Sequence, residues 1–219
     1  MIPDYELAAI KATETLIKYQ VKTAPVAPLP ILKQMPGVLC MSFDSVSKEV
    51  EADRRCVLSM LGEKNQDAIT IVNLVDGKKQ YLVAYNKMLA VNLFQRALAR
   101  ELGHIVLKHD GSKPEDVRNE EAKAFANHLL CPRPLIHALQ ATGIRITKEL
   151  LGNITGCYDL CLSCMRKLPE VKVPSELNRL VRDQFMPYII NLFDFQRYAT
   201  HKDVSAVVDF GTFMEGYEE

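Results

Sequence analysis

The chain has 219 residues, of which 48% are hydrophobic and 25% are charged, a composition that is ordinary for a globular protein and excludes a disordered one. Lys and Arg together number 27, as do Asp and Glu, so no large net field favours a nucleic acid or a membrane as partner. No apolar run approaches the roughly 20 residues of a membrane-spanning helix, and the N-terminal sequence lacks the pattern of a signal peptide. We therefore expect a cytoplasmic protein without a membrane partner, whose six cysteines are reduced thiols.

The N-terminal part of the chain reads as a helix, a proline-rich connector and a strand. Helical spacing of apolar residues predicts an amphipathic helix in "DYELAAIKATETLIKYQ", with Asp4 available as its N-cap. Pro30 can start a short helix through "ILKQM", and "GVLCMSF" reads as a strand. The charged segment "DSVSKEVEADRRC" is expected to be a loop.

A hairpin followed by two helices is predicted for the centre of the chain. "AITIVNLVDGKKQYLVAYN" contains two β-rich runs joined around Asp76 and Gly77, which is a strong hairpin signal. Apolar residues recur at helical spacing from Met88 to His109, and Gly111 is a plausible C-cap. A second helix is expected in "PEDVRNEEAKAFANHLL".

The C-terminal part is predicted to be helical. Shorter helices are expected in "PLIHALQAT", "TKELLGNI" and "YDLCLSCMRKL", before a long helix from about Ser175 to Tyr198 and a mobile acidic end. The cysteines Cys157, Cys161 and Cys164 form one helical stripe, which we interpret as core packing because sulfurs on consecutive turns lie along a line rather than around a metal. The two short helices around Gly156 could be mistaken for a helix-turn-helix. The second of them carries only Arg166 and Lys167 as basic residues at its end, which disfavours DNA binding.

The first central helix carries "RELGH", from Arg100 to His104, in the order of a zinc-peptidase H-E-x-x-H motif. That motif works because residues four apart share one face of a helix, so two imidazoles bind one Zn²⁺ while the glutamate polarises the metal-bound water. The position of the first histidine is Arg100, whose protonated guanidinium has no lone pair for a cation. One of the two anchoring nitrogens is therefore missing.

Two motifs in the right order extend the likeness to a known family. "ARELGHIVLKH" and then "EEAKAFANHLLCP", preceded by a hairpin, resemble the ImmA/IrrE family of metallopeptidases, from Ala24 to about Leu168. The matching residues are Ala99, Glu101, Leu102, Gly103, His104, Ile105, Leu107 and His109, then Ala122, Phe125, Ala126, Leu129, Leu130 and Pro132.

The resemblance implies an α+β, gluzincin-like fold in which a small sheet with a hairpin backs the motif helix. It implies a metallopeptidase domain at residues 1–168 and a helical extension at 169–219. Family members cleave phage-type or stress-response repressors. Carried over by position, Glu101 is the general base and His104 a Zn²⁺ ligand; the usual third-ligand glutamate aligns with Asn119, and Glu120 and Glu121 are adjacent alternatives.

Several interpretations of the altered motif, with Arg100 in place of the first histidine, stay open. His109 or His128 could complete a rebuilt site, although a continuing helix would turn His109 roughly 140° away from His104 and towards solvent. Alternatively, Arg100 supplies the positive charge that the metal would carry and pairs with Glu101, Glu120 or Glu121. A third possibility is that the site has been lost.

Two functions follow from these readings. The first is a zinc endopeptidase that acts on a repressor-type regulatory protein. The alternative is a pseudopeptidase that binds a protein or peptide as a regulatory module, with no metal. In that case Glu101 and His104 are a hydrogen-bonded polar pair at a helix interface. A nucleic-acid-binding regulator is the least favoured reading.

Overall fold

The computed structural model describes residues 1–61, 67–109, 111–143, 146–156 and 171–201. The predicted cysteine stripe at Cys157, Cys161 and Cys164 lies outside the described residues, as do the short helix that would carry it and the acidic end of the chain.

The N-terminal helix α1 spans Tyr5–Lys18, and the Asp4 side chain caps it by accepting a hydrogen bond from the Leu7 N–H. The predicted N-cap is therefore confirmed. Helix α2 is Pro28–Gln34, with proline in its first turn, where a missing N–H costs no hydrogen bond. Strand β1 follows at Val38–Ser42.

The segment after β1 is helical, and the loop expected there is wrong. Helix α3 is Phe43–Glu49 and helix α4 is Arg54–Leu61. The Ser42 hydroxyl accepts a hydrogen bond from the Ser45 N–H at 3.1 Å, so Ser42 at the end of the strand is also an N-cap. Helix α3 has seven residues and α4 eight, about two turns each, which is too short for apolar periodicity to reveal them.

The predicted hairpin is confirmed as β2, Ala68–Val75, and β3, Lys78–Tyr85. Asp76 and Gly77 have φ of 50° and 71°, the two positive values that a tight two-residue hairpin turn requires. The sheet order is β1-β3-β2, with β1 parallel and β2 antiparallel to β3. Strand β2 therefore has an outer edge with which no described strand pairs.

Helix α5, Val91–Val106, packs on the hairpin and against α6, Glu115–Leu130. These are the two central helices predicted from periodicity. They approach closely at Gly103: a Cβ there would lie 3.1 Å from Phe125 Cδ1 and 3.2 Å from both Cα and O of Ala122. Hydrogen in place of a side chain at Gly103 lets the backbones of α5 and α6 come together.

The remaining helices are α7, Arg133–Ala141, α8, Lys148–Thr155, and α9, Ser175–His201. The long helix predicted from Ser175 is confirmed, and with it the α+β class. Val181, Phe185 and Ile189 of α9 belong to the same buried cluster as residues of α1, α5 and α6. The predicted domain boundary at 168 lies outside the described residues. Of the described helices, none combines the length and the apolar character needed to cross a membrane.

Candidate functional site

A cleft of about 950 Å³ opens beside β2, between that strand and helices α5 and α6. Strand β2 contributes Thr70, and α5 contributes Glu101 and His104, which the helix presents on neighbouring turns. Arg118 comes from the first turns of α6. The cleft therefore gathers most of the residues that the motif singled out.

His109 lies against His104, not on the far side of a helix. Helix α5 ends at Val106, because Lys108 adopts a left-handed φ of 56° and the His109 N–H bonds back to the His104 carbonyl at 3.0 Å. The ring centroids of His104 and His109 are 5.0 Å apart. The expectation that His109 points to solvent is wrong, since only 2% of its side chain is exposed.

The two histidines form a hydrogen-bonded chain that ends on Glu121. The Nδ1 atoms of His104 and His109 are 2.8 Å apart, and His109 Nε2 lies 3.0 Å from Glu121 Oε2. A carboxylate only accepts, so His109 Nε2 donates and its Nδ1 accepts from His104 Nδ1. Both nitrogens of His109 are thereby used.

The Glu121 carboxylate is fully buried and has four hydrogen bonds. Lys113 Nζ lies 2.7 Å from Oε1 and 2.8 Å from Oε2, which makes a bidentate ion pair. The backbone N–H of Asp4 donates to Oε1 at 2.9 Å, and His109 donates to Oε2. Two carboxylate oxygens offer about four lone-pair positions, so the accepting capacity of Glu121 is filled.

These contacts set the charges of the network. Burial raises the pKa of Glu121, but the hydrogen bonds from Lys113, the Asp4 N–H and His109 outweigh it and hold that pKa below its usual value. Burial lowers the pKa of His104 to about 4, helped by the nearby His109 ring and Arg118. Burial also lowers the pKa of His109. At neutral pH, the hydrogen-bonded network therefore consists of two neutral imidazoles and an ionised carboxylate, whose charge Lys113 neutralises.

Glu101, three residues before His104 on α5, is held by a hydrogen bond from β2. The Thr70 hydroxyl donates to Glu101 Oε2 at 2.7 Å. Burial raises the pKa of Glu101 to about 7, although the Thr70 hydrogen bond and the charge of Arg100 oppose the rise. Glu101 is therefore poised to gain or lose a proton near neutral pH.

Arg100 does not pair with the acids expected for it. Its guanidinium lies 3.4 Å from Asp67 Oδ2, just before β2, and 46% of its side chain is exposed. Glu120 instead pairs with Lys123 in a half-exposed contact at 3.3 Å. Arg100 lines the cleft but makes its ion pair with Asp67, and the described contacts include no ion pair between Arg100 and Glu101, Glu120 or Glu121; the cation paired with Glu121 is Lys113.

The other two residues considered as ligands lie apart from this network. Asn119 lines the cleft from an exposed position and makes no contact with Glu121 among the contacts described. His128 lines a different cavity, beside Pro132 and Arg133, and burial lowers its pKa to about 4. Only His104, His109 and Glu121 are brought together.

These three residues do not fit a zinc ion as they are placed. Glu121 has no accepting position left, and His109 uses one nitrogen on His104 and the other on Glu121. Arg100 cannot serve as a ligand. Within the described ranges, no group of three or more His, Cys, Asp or Glu is arranged to hold a metal ion.

Sequence reasoning missed three residues that complete the site. Thr70 could have been found, because alternation along β2 places it on the face that α5 covers. Lys113 and the Asp4 N–H carry no sequence signal, since their contacts with Glu121 depend on the loop after α5 and on the packing of α1 against α6.

The outer edge of β2 offers hydrogen-bonding groups to the cleft. The Asn86 N–H donates to the Asp67 carbonyl, so this facing pair is hydrogen-bonded and the pairs alternate from there along the register. Every second residue of β2 therefore directs its N–H and C=O away from β3. These residues are Ala68, Thr70, Val72 and Leu74, and all four line the cleft.

Comparison with known proteins identifies the central part of the chain. Residues 58–155 match the family model described as the IrrE N-terminal-like domain. The resemblance that the two motifs indicated is confirmed over these residues, a shorter stretch than expected. No curated protein matches the chain, and no solved structure does so either.

Proposed function

Because residues 58–155 match the IrrE N-terminal-like domain, we propose that this metallopeptidase-fold protein is a regulatory binding module that holds an extended peptide without cleaving it. The observation that supports this function is the filled Glu121 carboxylate, with Lys113 bound to both of its oxygens. A buried carboxylate needs a partner, and here the partner is an ammonium group of the same chain.

Lys113 takes the role first considered for Arg100. Its side chain is one-third exposed, whereas that of Glu121 is 1% exposed, so the ammonium closes the site from the solvent side. The Asp4 N–H and His109 satisfy the remaining positions. The network thus stabilises the junction of α1, α6 and the loop after α5 without an ion.

The peptide partner would bind along the free edge of β2. An exposed strand edge pairs with an extended peptide through main-chain hydrogen bonds, and alternate side chains of the peptide then reach pockets. The backbone N–H of Thr70 is already directed at Glu101, whereas Val72, the next residue with outward backbone groups, lines the cleft and is 46% exposed. The edge of β2 and the cleft form one continuous surface.

Substitution of Val72 tests this binding mode. Octapeptides are selected from a random display library on the purified full chain, and their affinities are measured by fluorescence anisotropy. Val72→Pro removes one outward N–H while the hydrogen bonds between β2 and β3 persist, so affinity should fall by about tenfold or more. Val72→Thr is the matched control and should bind normally.

The peptides should also stay intact. After incubation with the protein and added zinc, mass spectrometry should show only the starting peptide. Selected peptides that bind Val72→Pro as tightly as the wild type, with thermal unfolding of the variant unchanged, would argue against strand pairing. Cleavage products that vanish in Glu101→Gln would argue for an enzyme.

The second candidate is an endopeptidase that acts on a repressor-type regulatory protein. It is favoured by Glu101, whose pKa of about 7 and place in the cleft suit a general base. This activity would require Glu121 to be released from Lys113, because the carboxylate as placed accepts nothing more. The cleavage assay above separates the two functions.

A further inference from the structure

We infer that the peptide held in the cleft presents an acidic side chain to Arg118. This inference rests on the proposed binding function and names the class of partner: an extended peptide whose carboxylate reaches the guanidinium of α6. Arg118 of α6 lines the same cleft as the outer edge of β2, so a peptide paired with that edge would lie in the cleft that Arg118 lines.

Arg118 lacks the partner that a partly buried arginine ordinarily has. Its Nε is buried and without a hydrogen-bond partner, and no ion pair joins its side chain to any residue that the structure describes. A buried donor left unpaired costs free energy, which a ligand with an acceptor would recover. A carboxylate matches the fork of a guanidinium and binds it through two parallel hydrogen bonds.

The other charged groups of the cleft leave its field positive. Arg100 is paired with Asp67, and Lys123 with Glu120, so these four charges cancel locally. The remaining charged residues that line the cleft are Lys79, Arg96, Glu101, Glu115 and Arg118. Three cations therefore face two acids, of which Glu101 has a pKa raised to about 7, so the local charge is positive and favours an anionic ligand over a basic one.

The composition of the selected peptides tests the inference. The octapeptide library is selected in parallel on the wild type, on Arg118→Gln and on Arg179→Gln. Arg179 is an exposed arginine of α9 that pairs with acids of its own helix, so it is the matched control. We expect Asp or Glu to be enriched several-fold at one position on the wild type and on Arg179→Gln, and not on Arg118→Gln.

A pairwise measurement then assigns the contact. Replacing the enriched Glu of a selected peptide by Gln should weaken its binding to the wild type about tenfold and leave its binding to Arg118→Gln unchanged. Arg118→Lys keeps the charge without the fork and should bind with intermediate affinity. If Arg118→Gln shows no cooperative unfolding transition and is therefore not folded, the comparison of Arg118→Lys with the wild type still tests the contact.

The outcomes separate this inference from the proposed function. Selected peptides that need Val72 but contain no enriched acid would overturn the acidic partner and leave the binding module standing. Acidic peptides recovered equally well on Arg118→Gln and Arg118→Lys would overturn the role of Arg118. If no selected peptide is sensitive to Val72→Pro, both the partner class and the binding function fall.

Discussion

Glu121 is the residue on which the site depends, because its carboxylate joins three parts of the chain. It accepts hydrogen bonds from the Asp4 backbone, from His109 and from Lys113. A carboxylate that is 1% exposed would be costly if left unpaired, and the lysine supplies the compensating charge.

Removal of the lysine charge should destabilise the protein. Lys113→Met keeps the apolar stem and leaves Glu121 with a buried, less compensated charge, so the free energy of unfolding should fall by about 1–3 kcal/mol. Lys123→Met is the matched control, since Lys123 and Glu120 are both about half exposed; its effect should stay below about 1 kcal/mol. Urea unfolding measures both. Equal stability of the two variants would contradict the role given to Lys113.

Glu101 should make stability depend on pH near neutrality. Its pKa is raised from 4.5 to about 7 in the folded protein, so its stabilising contribution is complete below pH 4.5 and is lost as pH rises through 7. Glu101→Gln removes the charge and can still accept from Thr70. Relative to the wild type, this variant should therefore gain about 1–3 kcal/mol of stability between pH 5 and pH 8.

The exposed Glu120 provides the comparison for that titration. Glu120→Gln should change the free energy of unfolding by less than about 0.5 kcal/mol at both pH values. A difference between Glu101→Gln and the wild type that is the same at pH 5 and pH 8 would show that Glu101 is ionised throughout, contrary to its burial beside His104.

At the scale of elements, the contact between α5 and α6 positions the whole network. Helix α5 presents Glu101 and His104, its C-terminal turn returns His109, and α6 presents Glu121 and Arg118. The two helices can lie this close because Gly103 has no side chain where Ala122 and Phe125 pack. The close approach of α5 and α6, which brings these side chains together, therefore depends on Gly103.

Substitution of that glycine should separate the helices. Gly103→Ala would place a Cβ about 3.1 Å from a Phe125 carbon and 3.2 Å from backbone atoms of Ala122, which cannot move without α6. An ordinary glycine-to-alanine change inside a helix stabilises by up to about 1 kcal/mol, but here we expect a loss of about 1–3 kcal/mol. Thermal unfolding measures this, and a stabilised variant would contradict the close contact.

The elements that could be predicted are those with a strong local pattern. Helices α1, α5 and α6 follow from apolar periodicity, and the hairpin follows from Asp76 and Gly77. Apolar periodicity does not reveal α3 and α4, because they have only seven and eight residues. The sequence placed His109 on the wrong side of the helix, because Lys108 ends the helix in a left-handed conformation. Such a conformation is usually predicted from a glycine, and position 108 is a lysine.

The same division holds for the site. The motif predicts Glu101 and His104 as site residues, and the second helix of the resemblance offers Glu121 only as an alternative to Glu120. Lys113 was not predicted, because its contact is made across a loop that only the packed helices define. Arg100 could be recognised as a departure, but its partner Asp67 lies 33 positions earlier in the chain and depends on how β2 meets α5.

At the scale of the molecule, the core extends well beyond residues 58–155. Leu16 of α1, Leu32 of α2 and Phe185 of α9 are each at most 1% exposed and belong to the same buried cluster as Leu98 and Leu102. The N-terminal helix also supplies the Asp4 N–H to Glu121. The IrrE N-terminal-like segment therefore depends on elements on both sides of it.

A fragment of residues 58–155 should accordingly fail to fold cooperatively. Without α1, α2 and α9, this fragment exposes the apolar faces of α5, α6 and α7. It thereby loses several kcal/mol of the free energy that burial of apolar surface contributes. Far-UV circular dichroism should show no sharp thermal transition, and amide NMR signals should be poorly dispersed. Residues 1–201 are the control and should unfold cooperatively. A cooperative transition in the short fragment would contradict a shared core.

Lys113, rather than a metal ion, neutralises Glu121 in this site. Elemental analysis of the full chain, purified without chelator and without a metal-binding tag, tests it most directly when combined with thermal unfolding in the presence and absence of EDTA. We predict far less than one zinc per chain and an unfolding temperature that EDTA does not change. A stoichiometric zinc, lost in His104→Ala and needed for the wild-type unfolding temperature, would contradict the account.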